Sequence, residues 1–387
     1  MRVQDYLNAK YHEQNHEAVD VLSPIALVLE TAREKFSYHL STDDKAKSYL
    51  QDVRGLSQKT IDRFQLGYAP DGYTRLVSQS KTKRWQLLLQ KSLNRSLTPQ
   101  ELEQQLNAMM LLAGLTARKE TGEMYDRFRN RIIIPILDKR GQVISFGGRI
   151  FNEESSAKYM NGSDSPLFNK REVLFNLDAI HSKYLNSQVS LVAPKKLDSI
   201  NAVEGYMDVI GMYEFGLENC VGTMGTAISQ KQIETLFHYT DHINLCFDGD
   251  SAGQKAAKRA TYESLGCLSG ERMVTITILP DGHDPDSFLT SKSTQSDKLY
   301  AKELLEEEFE AGIKVTDFLK KCLIEDHLLD DNDTNLLQAL LIEKASEIPS
   351  GSTVRKELEK HIAMGTAENH QLSKEEMVEY VIAHGRA

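Results

Sequence analysis

The run Ile243-Asn244-Leu245-Cys246-Phe247 ends on Asp248-Gly249-Asp250, and a helical stretch from Ala252 to Leu265 follows at once. A short, mostly apolar run closed by acids and followed by a helical period reads as a buried strand feeding a crossover helix. Working outward, Ala202-Val203 stands before Glu204-Gly205-Tyr206-Met207-Asp208, and Val274 to Leu279 before Asp284-Pro285-Asp286. Further apolar runs lie at Leu191 to Ala193 and Cys220-Val221, with helical stretches at Met207 to Phe215 and Ser229 to His238. The alternation predicts an α/β fold, with parallel strands joined by crossover helices.

In an open parallel sheet the carboxyl ends of the strands share one edge, so residues far apart in sequence converge there. Glu204, Asp208, Asp248, Asp250, Asp284 and Asp286 are then expected at one crevice. Six carboxylates together are electrostatically costly, and hard oxygen donors without Cys or His beside them favour Mg²⁺ or Mn²⁺. Two such ions suit phosphoryl transfer. Taken singly, each cluster has a plainer reading, since an acid after a strand is also ordinary turn or helix-cap chemistry. Gly249 argues for more, because it permits close backbone approach while both flanking carboxylates point outward.

Upstream the character changes. Asp126-Arg127-Phe128-Arg129-Asn130-Arg131 leads into Ile132-Ile133-Ile134-Pro135-Ile136-Leu137, and Asp138-Lys139-Arg140-Gly141 separates that run from Gln142 to Ile150, which predicts a β-hairpin. From Arg118 to Arg171 there are 11 basic and 7 acidic residues, a locally basic stretch in a chain of net charge −10. That overall charge excludes a globally basic nucleic-acid binder but not a local basic face. Nearer the start, helices are expected from Pro24, from Ser57 as an N-cap to Phe64, from Thr74 to Gln90 and from Thr98 to Ala113, with a strand and turn at Leu66 to Tyr73. The first residues are polar and read as a tail, in which His12 and His16 share a helical spacing but have no third ligand near them. From Ser291 to Ala387 the chain holds 12 basic and 20 acidic residues and reads as helical, with Glu306-Glu307-Glu308 on a solvated face.

At 387 residues the chain is long enough for two or three domains at roughly 150 residues each. No apolar run approaches the length of a membrane span, and the start lacks a signal peptide's apolar core. Cys220, Cys246, Cys267 and Cys322 form no CxxC pair, which argues against a zinc ribbon and for reduced, cytoplasmic thiols.

The motifs together resemble the catalytic core of the bacterial DnaG-type primases. The three acidic clusters look like its Toprim domain. Tyr125 to Arg131, Phe146-Gly147-Gly148-Arg149, Lys158-Tyr159-Met160-Asn161 and Ser165 to Lys170 resemble the basic motifs that precede it, and Gly55 to Pro70 its beginning. The likeness runs from about Ser23 to Ile362. It implies a Toprim-type parallel sheet with flanking helices over 190–290, preceded by a mixed α/β basic subdomain over 23–189 and followed by a helical subdomain over 291–387, with 1–22 a polar tail or linker. It implies DNA-templated synthesis of RNA primers from ribonucleoside triphosphates, with Mg²⁺ or Mn²⁺ held by the six acids. Glu204, Asp248 and Asp250 carry the catalytic role, and Glu204 is also the acid/base candidate of Toprim enzymes. Arg127, Arg129, Arg131, Arg149, Lys158 and Lys170 are implied contacts of template phosphates or of the incoming triphosphate. A solvated basic surface is the plainer reading of that group, and Arg131 could simply cap the hairpin. Gly222 and Gly225-Thr226 match a loop of the family between the acidic clusters, although a tight turn explains them equally.

Three departures stand out. No Cys and His set here can supply the family's zinc module, so no zinc site is expected in this chain. The helicase-binding domain has no counterpart in this sequence, so either an excised catalytic core or a short homologue working with separate modules is expected, with the replicative helicase and a zinc module as candidate partners. Arg171-Glu172 stands where the family more often has a glycine and a basic residue. The acids by themselves also suit a Toprim nuclease or topoisomerase-like enzyme, and a degenerate site would leave a non-catalytic nucleic-acid-binding scaffold.

Overall fold

The computed structural model describes residues 18–93, 96–150, 159–188, 195–225, 227–293, 297–329 and 333–368. His12, His16, the 191–193 run, Lys158 and Thr226 lie outside them. The chain divides into two compact units, Met1–Ala179 and Ile180–Ala387. No helix among the described residues is long and apolar enough to cross a membrane.

The first unit opens with α1 (Ala18–Thr42), α2 (Asp44–Ser48), a π-helical turn at Tyr49–Val53 and α3 (Gln58–Arg63). Helix α1 begins six residues before Pro24, earlier than the polar composition suggests. Proline costs the helix one N–H, yet its fixed φ suits a helix, and Pro24 is buried beside Ile25, Val28 and Leu29. Asp43 and Ser57 cap α2 and α3, accepting from the backbone N–H of Ala46 and Thr60. Strand β1 (Gly67–Ala69) is followed by a 3-10 turn at Val77–Lys81, α4 (Lys83–Leu93) and α5 (Pro99–Leu112). The α-helix expected from Thr74 begins only at Lys83; before it stands the 3-10 turn, where the Asp126 carboxylate accepts from the N–H groups of Leu76 and Val77. Thr98 and Glu101 form a reciprocal capping box on α5.

Two short strands, β2 (Thr116–Arg118) and β3 (Met124–Asp126), pair antiparallel. Strands β4 (Arg131–Leu137) and β5 (Val143–Ile150) form the expected hairpin, whose turn is tied by Asp138 Oδ1 accepting from the N–H groups of Arg140 and Gln142. With β6 (Tyr159–Asn161) they make a four-stranded antiparallel sheet in the order β1-β4-β5-β6. Its apolar face meets α1. Phe146 is 1% exposed and sits edge-on to both Phe36 and Phe128, with ring centroids 5.4 and 6.4 Å apart. A Cβ at Gly67 would come within 2.6 Å of Phe36 Cβ, so glycine lets α1 and β1 approach.

Helix α6 (Leu177–Gln188) runs across the boundary between the units. The second unit then continues through β7 (Ile200–Val203), α7 (Tyr206–Glu214), β8 (Cys220–Gly222), α8 (Gln230–Leu236), β9 (His242–Phe247), α9 (Ser251–Leu265) and β10 (Met273–Ile278). Helices α10 (Pro285–Lys292) and α11 (Lys298–Glu310), the two-residue strand β11 (Ile313–Lys314), and α12 (Val315–Asp326), α13 (Thr334–Glu347) and α14 (Thr353–Glu368) complete it. The sheet order is β11-β10-β9-β7-β8, parallel except for β11. Nothing in the sequence announces β11, whose two residues pair with Thr275 and Ile276. All four cysteines are buried and unbridged.

Replacing Phe146 with alanine removes the ring shared by Phe36 and Phe128 and should cost about 3–5 kcal/mol, read as a lower urea midpoint.

Candidate active site

Each acidic cluster takes its place from the turn that follows a strand. Glu204 directly follows β7, and the N–H groups of Thr223 and Gly225 donate to the carbonyls of Val203 and Glu204 at 2.9 and 2.8 Å, which ties the turn after β8 to it. Gly225 has φ +74°, a conformation that favours glycine. Asp248 follows β9. A Cβ at Gly249 would collide with the Pro280 carbonyl oxygen, so the close backbone approach expected of this glycine is present. The Gly249 N–H donates to His283 O at 2.9 Å, and Leu279 N–H to Phe247 O at 3.1 Å. The β9 and β10 turns are thereby bound to each other.

The plainer cap reading also holds for two acids. Asp250 is the N-cap of α9, with Oδ1 accepting from Ala252 and Gly253 N–H at 2.9 and 2.7 Å. Asp284 caps α10, accepting from Ser287 N–H at 2.6 Å. Asp208, in the first turn of α7, accepts from Gly205 N–H at 2.9 Å. Asp286 lies against α7, where a Cβ at Gly211 would be 2.5 Å from its Oδ1.

Electrostatics show which acids feel one another. Burial raises the Asp208 carboxyl to about 8, helped by the charges of Asp284, Asp248 and Asp286 and opposed by the Gly205 N–H. Burial also raises Glu204, with Asp250 adding to it. All six acids are therefore linked to a partner within the set. Glu204 Oε1 is buried and accepts no hydrogen bond from the described residues. A buried carboxylate oxygen without a donor is an unmet demand that a hard cation would satisfy, and the all-oxygen donor set agrees. Among the described residues, however, no three His, Cys, Asp or Glu side chains are gathered closely enough to hold one ion.

In the first unit the predicted cations are mostly engaged with protein. Arg127 Nε and Nη2 donate to Asn161 O at 3.2 and 3.1 Å. Arg129 Nη1 donates to Asp126 O, and its guanidinium lies 4.5 Å from the Tyr73 ring and 5.5 Å from Tyr125. Arg131, at the open end of the hairpin, is buried over Gly148, and burial, reinforced by Arg129, lowers its pKa. Arg149 is buried too, donating from Nε to Tyr49 Oη at 2.9 Å and from Nη1 to Tyr159 Oη. Burial lowers Lys170, with Asp164 opposing. The tyrosines that hold these arginines were not singled out from sequence. Tyr125 and Tyr159 stand inside the basic motifs, where aromatic interleaving is a usable signal. Tyr49 and Tyr73 lie far away in sequence and carry none.

Fold and site define a class: an α/β domain with acids along the carboxyl edge of its parallel sheet, in one chain with an antiparallel sheet lined by arginines. The family described as DNA primase catalytic core, N-terminal domain, matches residues 35–181, and a Toprim-like family matches residues 202–289. A DNA primase of Pasteurella multocida is 35% identical over 270 residues, covering 70% of this chain and 41% of the relative. A DNA primase domain from Pseudomonas aeruginosa superposes with a TM-score of 0.73 at 29% identity, covering 92% of this chain and 98% of that one. The DnaG primase catalytic domain bound to single-stranded DNA gives 0.72 at 26% identity, covering 89% and 99%. Residues 35–181 and 202–289 thus carry, in order, the two parts of a DnaG-type primase catalytic core, its N-terminal domain and a Toprim-like domain. The chain spans about two fifths of the length of the curated relatives it matches. Members of this family are metal-dependent.

The Asp208 shift has a sign that can be checked in metal-free protein. Between the ordinary carboxylate value and about 8 the folded state holds a proton that the unfolded state has released, so stability falls as pH rises through this window. Asp208→Asn mimics the protonated form and should flatten that fall in urea unfolding measured from pH 5 to 8. A decline as steep as in the parent would place the cause elsewhere.

Proposed function

We propose that this chain synthesises short RNA primers on a single-stranded DNA template from ribonucleoside triphosphates, by metal-dependent nucleotidyl transfer during DNA replication. What supports the reading is the electrostatic coupling of Glu204 with Asp250 and of Asp208 with Asp248, Asp284 and Asp286, with Glu204 Oε1 buried and without a donor among the described residues. The kinship with DNA primases, and with a primase catalytic domain bound to single-stranded DNA, supports it.

In this reading the six acids hold Mg²⁺ or Mn²⁺, with Glu204, Asp248 and Asp250 nearest the chemistry. Bound there, such ions would stabilise the charge that develops as a phosphoryl group is transferred. The helix caps fix Asp250 and Asp284 before anything binds, so little side-chain freedom remains to be lost. Arg127, Arg129, Arg131, Arg149, Lys158 and Lys170 serve the template or the incoming triphosphate. Cations supply a grip on phosphate that is independent of sequence. The Tyr73 ring, 60% exposed with Arg129 stacked on it, offers a face to an unpaired base. A zinc module and the replicative helicase are further partners in this reading.

Labelled ribonucleotides incorporated on single-stranded DNA in Mg²⁺ or Mn²⁺, and not in chelator, are the expected result, with Asp248→Asn losing synthesis while retaining template binding. Cleavage of labelled DNA without incorporation would instead favour a Toprim nuclease, and equal loss of synthesis and binding would assign Asp248 to folding. Replacing Arg127 and Arg129 with alanine should weaken DNA binding and flatten its salt dependence by about 0.7 for each phosphate no longer neutralised. An unchanged slope would remove both residues from the phosphate track.

A further inference from the structure

We propose that Asp126 is a positioning residue for the nucleic-acid-binding face of the first unit. Its buried side chain and backbone lock the Tyr73 loop and Arg129 into one stack, on which an unpaired base of single-stranded DNA rests. The inference builds on the function proposed above.

Asp126 ends β3 and is 3% exposed. Its Oδ2 accepts from Leu76 N–H at 2.6 Å and its Oδ1 from Val77 N–H at 2.8 Å. Its own N–H donates to Tyr73 O at 2.7 Å, and its carbonyl accepts from Arg129 Nη1. One residue therefore grips both ends of the 73–77 segment and the guanidinium that stacks on Tyr73. Around the exposed ring stand Arg129 and Lys119, whose ammonium lies 6.0 Å from the ring centroid and pairs with Glu123. An exposed aromatic face bordered by cations fits a base with its phosphate, and the alternation of ring and cation is the arrangement that single strands use.

The sign of the charge makes the proposal testable. A carboxylate among arginines repels a polyanion, so on electrostatics alone its removal should tighten DNA binding. Positioning predicts the reverse. Asparagine keeps the shape of the side chain but turns one acceptor into an NH₂ that faces a backbone N–H, so one tie to the loop disappears.

The experiment is fluorescence anisotropy of a labelled oligothymidylate with the full chain. Asp126→Asn should bind about fivefold or more weakly, with the salt slope unchanged. The double variant Asp126→Asn/Tyr73→Ala should bind no more weakly than Tyr73→Ala. Asp126→Glu keeps the charge and displaces the oxygens, so it should lose affinity as well, and it serves where circular dichroism shows the asparagine variant unfolded. Binding as tight as the parent's or tighter in Asp126→Asn, or losses that simply add with Tyr73→Ala, would overturn the proposal. Failure of the parent chain to bind the oligonucleotide would instead overturn the functional reading beneath it.

Discussion

Parallel strands end on the same edge, and in this chain β7 and β9 run directly into Glu204 and Asp248, while a short turn leads from β10 to Asp284. The sheet collects charge that no local segment would gather, and burial makes the collection expensive. The protein tolerates it through backbone geometry. Gly249 and Gly253 stand where a Cβ would collide with the carbonyl oxygens of Pro280 and Asp248, so the two turns close tightly. Closing them brings Asp248 and Asp284 into the field that holds the Asp208 proton.

Placing the carboxylates also requires the strands to keep their register, because a slip of one residue turns every side chain to the other face. Parallel strands that are apolar on both faces have little to resist such a slip. This sheet contains a buried polar lock. Asn244 Nδ2 donates to Asn201 Oδ1 at 3.0 Å across to β7, and Asn244 Oδ1 accepts from Thr275 and Thr277 on β10 at 3.1 and 2.9 Å. Three strands meet at one amide whose bonds have no equivalent in a shifted pairing. Buried polar networks are costly when half-satisfied and specific when satisfied, and this one is well supplied.

The Toprim half was legible because its signals are local. A strand of five or six residues, an acid and a helix follow within one short stretch, and the parallel arrangement follows from topology alone. The hairpin from Arg131 to Ile150 was legible for the same reason. What sequence could not show depends on distant partners. The helix expected from Thr74 gives way to a 3-10 turn whose leading N–H groups donate to a carboxylate some 50 residues away, and no propensity scale contains that partner. Asp250 and Asp284 expose a false choice between cap and ligand. A carboxylate has two oxygens, and a helix cap occupies one.

The basic sheet follows the opposite logic to the acidic edge. Its arginines are fixed by hydrogen bonds and aromatic contacts before any ligand arrives, with Arg149 reaching a tyrosine 100 residues upstream. A free arginine carries about 2 kcal/mol of rotamer entropy, which binding must remove. Stacking a guanidinium on a ring and tethering one of its nitrogens removes much of that cost during folding, and the charge itself is undiminished. A tether to protein carbonyls or phenols leaves the positive field of each arginine in place, whereas a carboxylate partner would cancel it. Among the side-chain bonds described for Arg127, Arg129 and Arg149, all acceptors are of this neutral kind. Asp126 obeys the same rule, for it holds Arg129 through its backbone carbonyl and commits its carboxylate to the N–H groups of Leu76 and Val77.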